Sequence, residues 1–159
     1  MNIIYCEPRS ALFSFDRKKM PDLLPIEKAH RRHERRQPYE AVLGEPNRPQ
    51  YVVLVAGKWV SVFFLDDMMR CYLEYSFEEK HPSKVFLSQA IYREFMGGTT
   101  EVQEGKILWF NEDGHIHMVD QNYATGAIEE RETNYSVAEN WENYPSFGEY
   151  ASLCREQRE

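Results

Sequence analysis

Gly114-His115-Ile116-His117-Met118 is the densest candidate for chemistry in the chain. Alternate residues of a strand point to one side, so His115 and His117 would stand together as imidazoles do in zinc or copper sites. A metal centre needs a third and fourth ligand, and no HExxH or paired-cysteine motif supplies them. The pair therefore reads as two exposed strand histidines, with no metal and no cofactor. His30 and His33 stand three apart, but Lys28, Arg31, Arg32, Arg35 and Arg36 surround them and would repel a cation. The carboxylate doublets Asp66-Asp67, Glu78-Glu79 and Glu129-Glu130 cannot act as acid and base on a strand, where neighbours face opposite ways. Gly97-Gly98-Thr99-Thr100 has no following lysine, and Glu101 and Glu104 oppose a phosphate. Nucleophile-elbow, P-loop and dinucleotide-binding patterns are all missing. The chemistry points away from an enzyme.

Cys6, Cys71 and Cys154 are odd in number and widely spaced, which excludes a disulfide framework and suits a reducing compartment. MNIIYCEPRSALFSF offers neither a basic n-region nor a long apolar run, and no stretch approaches a membrane span, so a cytoplasmic protein is expected.

Charge is distributed unevenly. Residues 1–50 hold ten Lys/Arg against seven Asp/Glu, a balance of +3, whereas 101–159 hold four against thirteen, a balance of −9. An acidic body suits a basic protein partner and not a phosphate backbone. The single nucleic-acid candidate is KAHRRHERR, 28–36, which as a helix would be basic nearly all round. It lacks interleaved aromatics for base stacking, and it could equally pack on the acidic body of its own chain.

The elements that must position these residues follow from pattern. The aromatic share of 14% suits a packed sheet. Asn2–Cys6 and Ala11–Phe15 are two short edge strands. Pro25 would open a helix reaching about Gln37, stopped by Pro38. The rest of the charged, Pro-rich segment 16–50 reads as loop or linker. Tyr51–Val55 and Lys58–Leu65 flank a turn at Ala56-Gly57. Met69, Cys71, Leu73, Tyr75 and Phe77 alternate along a half-buried strand. Lys84–Met96 carries both helical spacing and strand character and is assigned to a strand. Lys106–Phe110 and His115–Val119 form a hairpin about Asp113-Gly114. Gly126 closes another into AIEERET. At the end, Ser146 and Glu149 have capping-box spacing, and Phe147, Tyr150, Ala151 and Cys154 fall at i, i+3, i+4 and i+7. That predicts a C-terminal helix. The expected architecture is one α+β domain spanning 1–159. Its sheet over 51–157 would be an antiparallel meander of about six or seven strands, with a C-terminal helix and an N-terminal helix.

Within residues 51–157, KVFLSQAIYREF, ILWFNEDGHIHMVD and the closing NWENYPSFGEY together resemble immunity proteins of bacterial polymorphic toxin systems. Such proteins are encoded beside contact-dependent, Rhs-type or type VI-secreted toxins. The closing pattern N-W-E-x-x-P-x-F-G-x-Y is matched by Asn140, Trp141, Glu142, Pro145, Phe147, Gly148 and Tyr150. The resemblance implies a non-enzymatic inhibitor that occludes the active site of one cognate toxin domain. Many such toxins are nucleases and are basic. Under that reading, Glu112, Asp113, Glu129, Glu130 and Glu132 supply charge contacts, and Trp141 and Glu142 join them. Exposed sheet edges also allow a homodimer.

Overall fold

The computed structural model describes residues 1–8, 22–45 and 47–158. Eleven strands and one α-helix follow in the order β1 (Ile3–Cys6), β2 (Leu23–Leu24), α1 (Ile26–Glu34), β3 (Tyr39–Glu45), β4 (Arg48–Ala56), β5 (Trp59–Leu65), β6 (Cys71–His81), β7 (Lys84–Phe95), β8 (Val102–Phe110), β9 (His115–Asn122), β10 (Ile128–Asn134) and β11 (Trp141–Asn143). They form one sheet, β10-β9-β8-β7-β6-β5-β4-β3-β1-β2, in which β11 pairs with β7 beside this path. Every pairing is antiparallel.

The turns explain the meander. Gly57, Gly114 and Gly126 all have positive φ, where a side chain would be strained. At the β8–β9 turn, Gly114 N–H donates to the Asn111 carbonyl and the Asp113 carboxylate accepts from His115 N–H at 2.9 Å. A left-handed Met69 ends the β5–β6 turn, organised by Asp66, whose carboxylate accepts from the N–H groups of Met68 and Arg70. Met69 therefore stands outside β6. Within β6, Leu73, Tyr75 and Phe77 share one face, but an irregular register beside Leu65 sends Cys71 into the opposite cluster.

Two apolar clusters lie on the two faces. The larger unites Val53, Val62, Phe64, Leu73 and Phe77 of the sheet with Ala29 of α1 and with Tyr150 and Leu153 of the C-terminal segment. The smaller holds Cys6, Val42, Val52, Phe63, Leu65 and Cys71. Each fully buried large side chain contributes about 1.5–3 kcal/mol of transfer free energy.

Three expectations are corrected. The chain is mostly β rather than α+β, with eleven strands in place of the six or seven expected, and α1 is its single α-helix among the described residues. Tyr39–Glu45, expected as linker, is a strand between β1 and β4. The C-terminal helix does not form. Gly148 at φ +85 interrupts SFGEYASLCREQ, leaving a turn from Glu149 N–H to Ser146 and one further turn in which the N–H groups of Leu153 and Cys154 return to Tyr150. The helical spacing of its apolar residues reflects a different demand. Phe147 must stack on Tyr5 and His30, while Tyr150 must reach Tyr39. The N-terminal helix does form behind Pro25, but ends at Glu34, where Gln37 N–H returns to the Arg32 carbonyl. The expected strand at Ala11–Phe15 lies outside the described residues.

The sheet forks at β7. Lys84–Phe86 pair with β11, whereas Gln89–Phe95 pair with β8. At the fork, the buried Asn140 side-chain amide donates to the Leu87 carbonyl at 3.0 Å. Beyond it, β8, β9 and β10 extend as an arm, and all seven residues of β10 are exposed.

Candidate protein-binding surface

The arm is open because its sequence cannot bury it. β10 reads Ile-Glu-Glu-Arg-Glu-Thr-Asn, with one apolar residue in seven. Its register on β9 sets Glu129 opposite Asp120, Glu130 opposite Val119, Arg131 opposite Met118 and Glu132 opposite His117. Successive residues alternate faces, so Glu129 lies on one side of the arm while Glu130 and Glu132 lie on the other.

On the Glu129 side, Tyr72, Tyr92, Leu108, Met118, Glu94 and Glu129 help line a hollow of about 890 Å³. Asp120 within it is neutralised by Arg131 at 2.7 Å and Lys106 at 3.7 Å. Glu104 accepts from the Asn122 side chain at 3.4 Å. Among the described residues, Glu94 and Glu129 form no ion pair and leave the hollow acidic above an apolar floor. Tyr92, 40% exposed, adds an aromatic wall.

On the other side, Trp109 is 39% exposed and lies 5.3 Å from the His117 ring. Glu130 approaches His117 at 3.8 Å and Glu132 approaches His115 at 3.9 Å. These contacts are ion pairs only when the histidines carry a proton. Both carboxylates are about two-thirds exposed and face solvent.

Five of the seven residues singled out from the sequence therefore lie on the arm, divided over two faces and a turn. Asp113 is occupied as the turn's acceptor, and Glu112 reaches His81 at 3.6 Å. Trp141 and Glu142 lie apart from the arm, on β11, and both make contacts within the fold. The Trp141 ring packs on Phe86, centroids 4.9 Å apart, and stacks on His81. Glu142 accepts from Arg158 at 2.8 Å and Arg155 at 2.9 Å. Tyr92, Glu94 and Trp109 escaped the sequence reading. The signal for Tyr92 and Trp109 was the amphipathic aromatic on an alternating strand, a type favoured at interfaces, whereas nothing local marked Glu94.

The closing motif is a clasp. His33 holds the C-terminal segment through the Pro145 carbonyl, and its Nδ1 lies 2.7 Å from the Tyr39 hydroxyl, which meets the Tyr150 hydroxyl at 2.9 Å. Burial, reinforced by Arg36, pushes the His33 imidazole below its ordinary range. Burial likewise raises Tyr5 and Tyr39 far above a normal phenol. Phenols raised this far stay protonated, and the network ties α1, β3 and the C-terminal segment together. The thiols are equally quiet: burial pushes Cys71 up to about 11 and Cys154 up to about 12.

The basic helix is partly tied to its own chain. Arg32 grips Glu7 with two bonds of 2.7 Å, holding that carboxyl below the usual range. Arg36 reaches Glu79 at 3.3 Å and lies 3.8 Å over the Tyr144 ring. Among the described residues, no three His, Cys, Asp or Glu side chains gather to hold a metal, and no helix is long and apolar enough to cross a membrane.

No protein family, curated protein or solved structure matches this chain at a significant level.

Proposed function

We propose that this chain is a non-enzymatic inhibitor of the immunity-protein kind, acting in the cytoplasm by stoichiometric binding to a basic toxin domain. The observation that carries the reading is the β8–β10 arm, which leaves the core with both faces open. Among the described residues, its carboxylates Glu129, Glu130 and Glu132, and Glu94 beside them on β7, are not neutralised by lysine or arginine. Such a surface steers association with a cationic partner and fixes register by charge. Tyr92 and Trp109 supply the amphipathic rings that concentrate binding energy. A nuclease domain, basic because it must hold phosphates, fits this chemistry. Occlusion of its active site needs no catalysis by the inhibitor.

Co-expression with the toxin domain encoded in the adjacent reading frame tests the reading. Survival that depends on this chain supports it, as does a one-to-one complex of the purified components. Toxin killing that proceeds unchanged, with no complex, refutes it.

A further inference from the structure

We infer that the free edge of β10 is itself a docking site, which takes an extended segment of the partner with lysine or arginine at alternate positions. The inference rests on the inhibitor reading above and names how the arm is engaged.

The phase of the edge follows from two hydrogen bonds. Asn122 N–H donates to the Ala127 carbonyl and Tyr135 N–H to the Gly114 carbonyl, both at 2.9 Å, one at each end of β10. Antiparallel ladders alternate between hydrogen-bonded and open pairs. Glu129, Arg131 and Thr133 therefore bond inward to β9. The N–H and C=O groups of Ile128, Glu130, Glu132 and Asn134 point outward, on a strand exposed along its whole length. Among the described residues, the other edge strands, β2 and β11, have only two and three residues and offer no comparable template.

The side chains above those groups select the occupant. Glu130 and Glu132 project on one face, where residues directly opposite on an added strand would lie about 5 Å away between Cβ atoms. A Lys or Arg at i and i+2 of the incoming strand meets both carboxylates. A second copy of this chain meets itself poorly across the charged centre of the strand. Two-fold pairing centred on Glu130 or Glu132 sets that carboxylate against itself. Centring on Arg131 opposes Glu130 to Glu132 and Arg131 to Arg131. Like charges placed directly opposite are destabilising. Addition of a strand to such an edge draws affinity from the main chain and specificity from alternate side chains.

The probe is the blocked heptapeptide Thr-Lys-Val-Lys-Val-Lys-Thr, added to the full-length chain at up to millimolar concentration. Hydrogen exchange of the β10 amides should slow. Affinity should fall by about tenfold or more when the backbone amide nitrogens of the three lysine residues are methylated. Glu130→Pro removes an outward N–H without touching the β9 ladder and should cause a similar loss. The pair Glu130→Lys and Glu132→Lys keeps every backbone group, so it tests the site even if the proline variant fails to fold, and it too should abolish binding. Unchanged exchange in β10, binding indifferent to peptide methylation, or a concentration-dependent dimer closing this edge overturns the inference. The two readings separate cleanly. If the lysine pair still protects against the neighbouring toxin as wild type does, the edge proposal falls and the inhibitor reading stands. If the peptide docks on β10 but no protection is seen, the inhibitor reading falls.

Discussion

Replacing Glu142 should destabilise the protein without slowing its encounter with a partner. The side chain is 12% exposed and faces Arg158, itself 5% exposed. The Arg158 guanidinium donates to Glu142 at 2.8 Å and to the carbonyls of Glu139, Ser152 and Leu153 at 3.2, 3.0 and 3.3 Å. It lies 5.0 Å from the Phe77 ring centre, so it closes the C-terminal segment over the core. Removing one partner of a buried pair costs about 3–5 kcal/mol, because the other charge stays buried. Three carbonyls remain to Arg158, which sets Glu142→Ala near the low end, at about 3 kcal/mol. The second partner, Arg155, is 45% exposed and adds less than about 1 kcal/mol. Urea titration should move the midpoint down by roughly 1–2 M, and the melting temperature by about 6–12 °C. A double-mutant cycle with Arg158→Met should return a coupling of about 2 kcal/mol. A loss below about 0.5 kcal/mol, or additive single variants, would refute the assignment of Glu142 to the fold.

Four further outcomes follow. Tyr150→Phe removes a buried hydroxyl but leaves Tyr39 bonded to His33, so urea unfolding should show a loss of about 1 kcal/mol. Gly114→Ala places a Cβ 2.7 Å from the Tyr135 carbonyl oxygen at φ +95, and should cost about 1–3 kcal/mol. Amide exchange should show that loss in β9 and β10 before the core strands. His33 is held below its ordinary range when folded, so the unfolded chain binds more protons below about pH 6.5. Stability is therefore present above that pH and lost as pH falls towards the depressed value, and His33→Gln should flatten the decline of the urea midpoint between about pH 7 and 5. Cys71 and Cys154 should react with a disulfide reagent at about pH 8 far more slowly in the native chain than in denaturant.

The parts of the fold legible from sequence are those with local causes. Gly57, Gly114 and Gly126 mark tight turns wherever they stand, and Pro25 opens α1 through its fixed φ. β3 was hidden because Pro38, Gly44, Pro46 and Pro49 surround it with loop signals, while β1 and β4 impose the strand from either side. The C-terminal stripe imitated a helix because turns around Gly148 bring the same residues inward. At the arm, the carboxylates were visible but their partition was not, since it depends on the register with β9. Arg158 returns to Glu142 from sixteen positions away. No local pattern marks Glu142 as its partner.

The most direct test of the account is the association rate with an inactivated toxin domain from the adjacent frame, measured across salt for wild type and for Glu129→Gln, Glu130→Gln and Glu132→Gln combined. The expected result is an association rate for wild type that falls steeply with salt, and one for the variant at least about tenfold lower at low salt and nearly flat. Its melting temperature should be unchanged. Equal rates and equal salt slopes for the two proteins would contradict the claim that the acidic arm is where the partner binds.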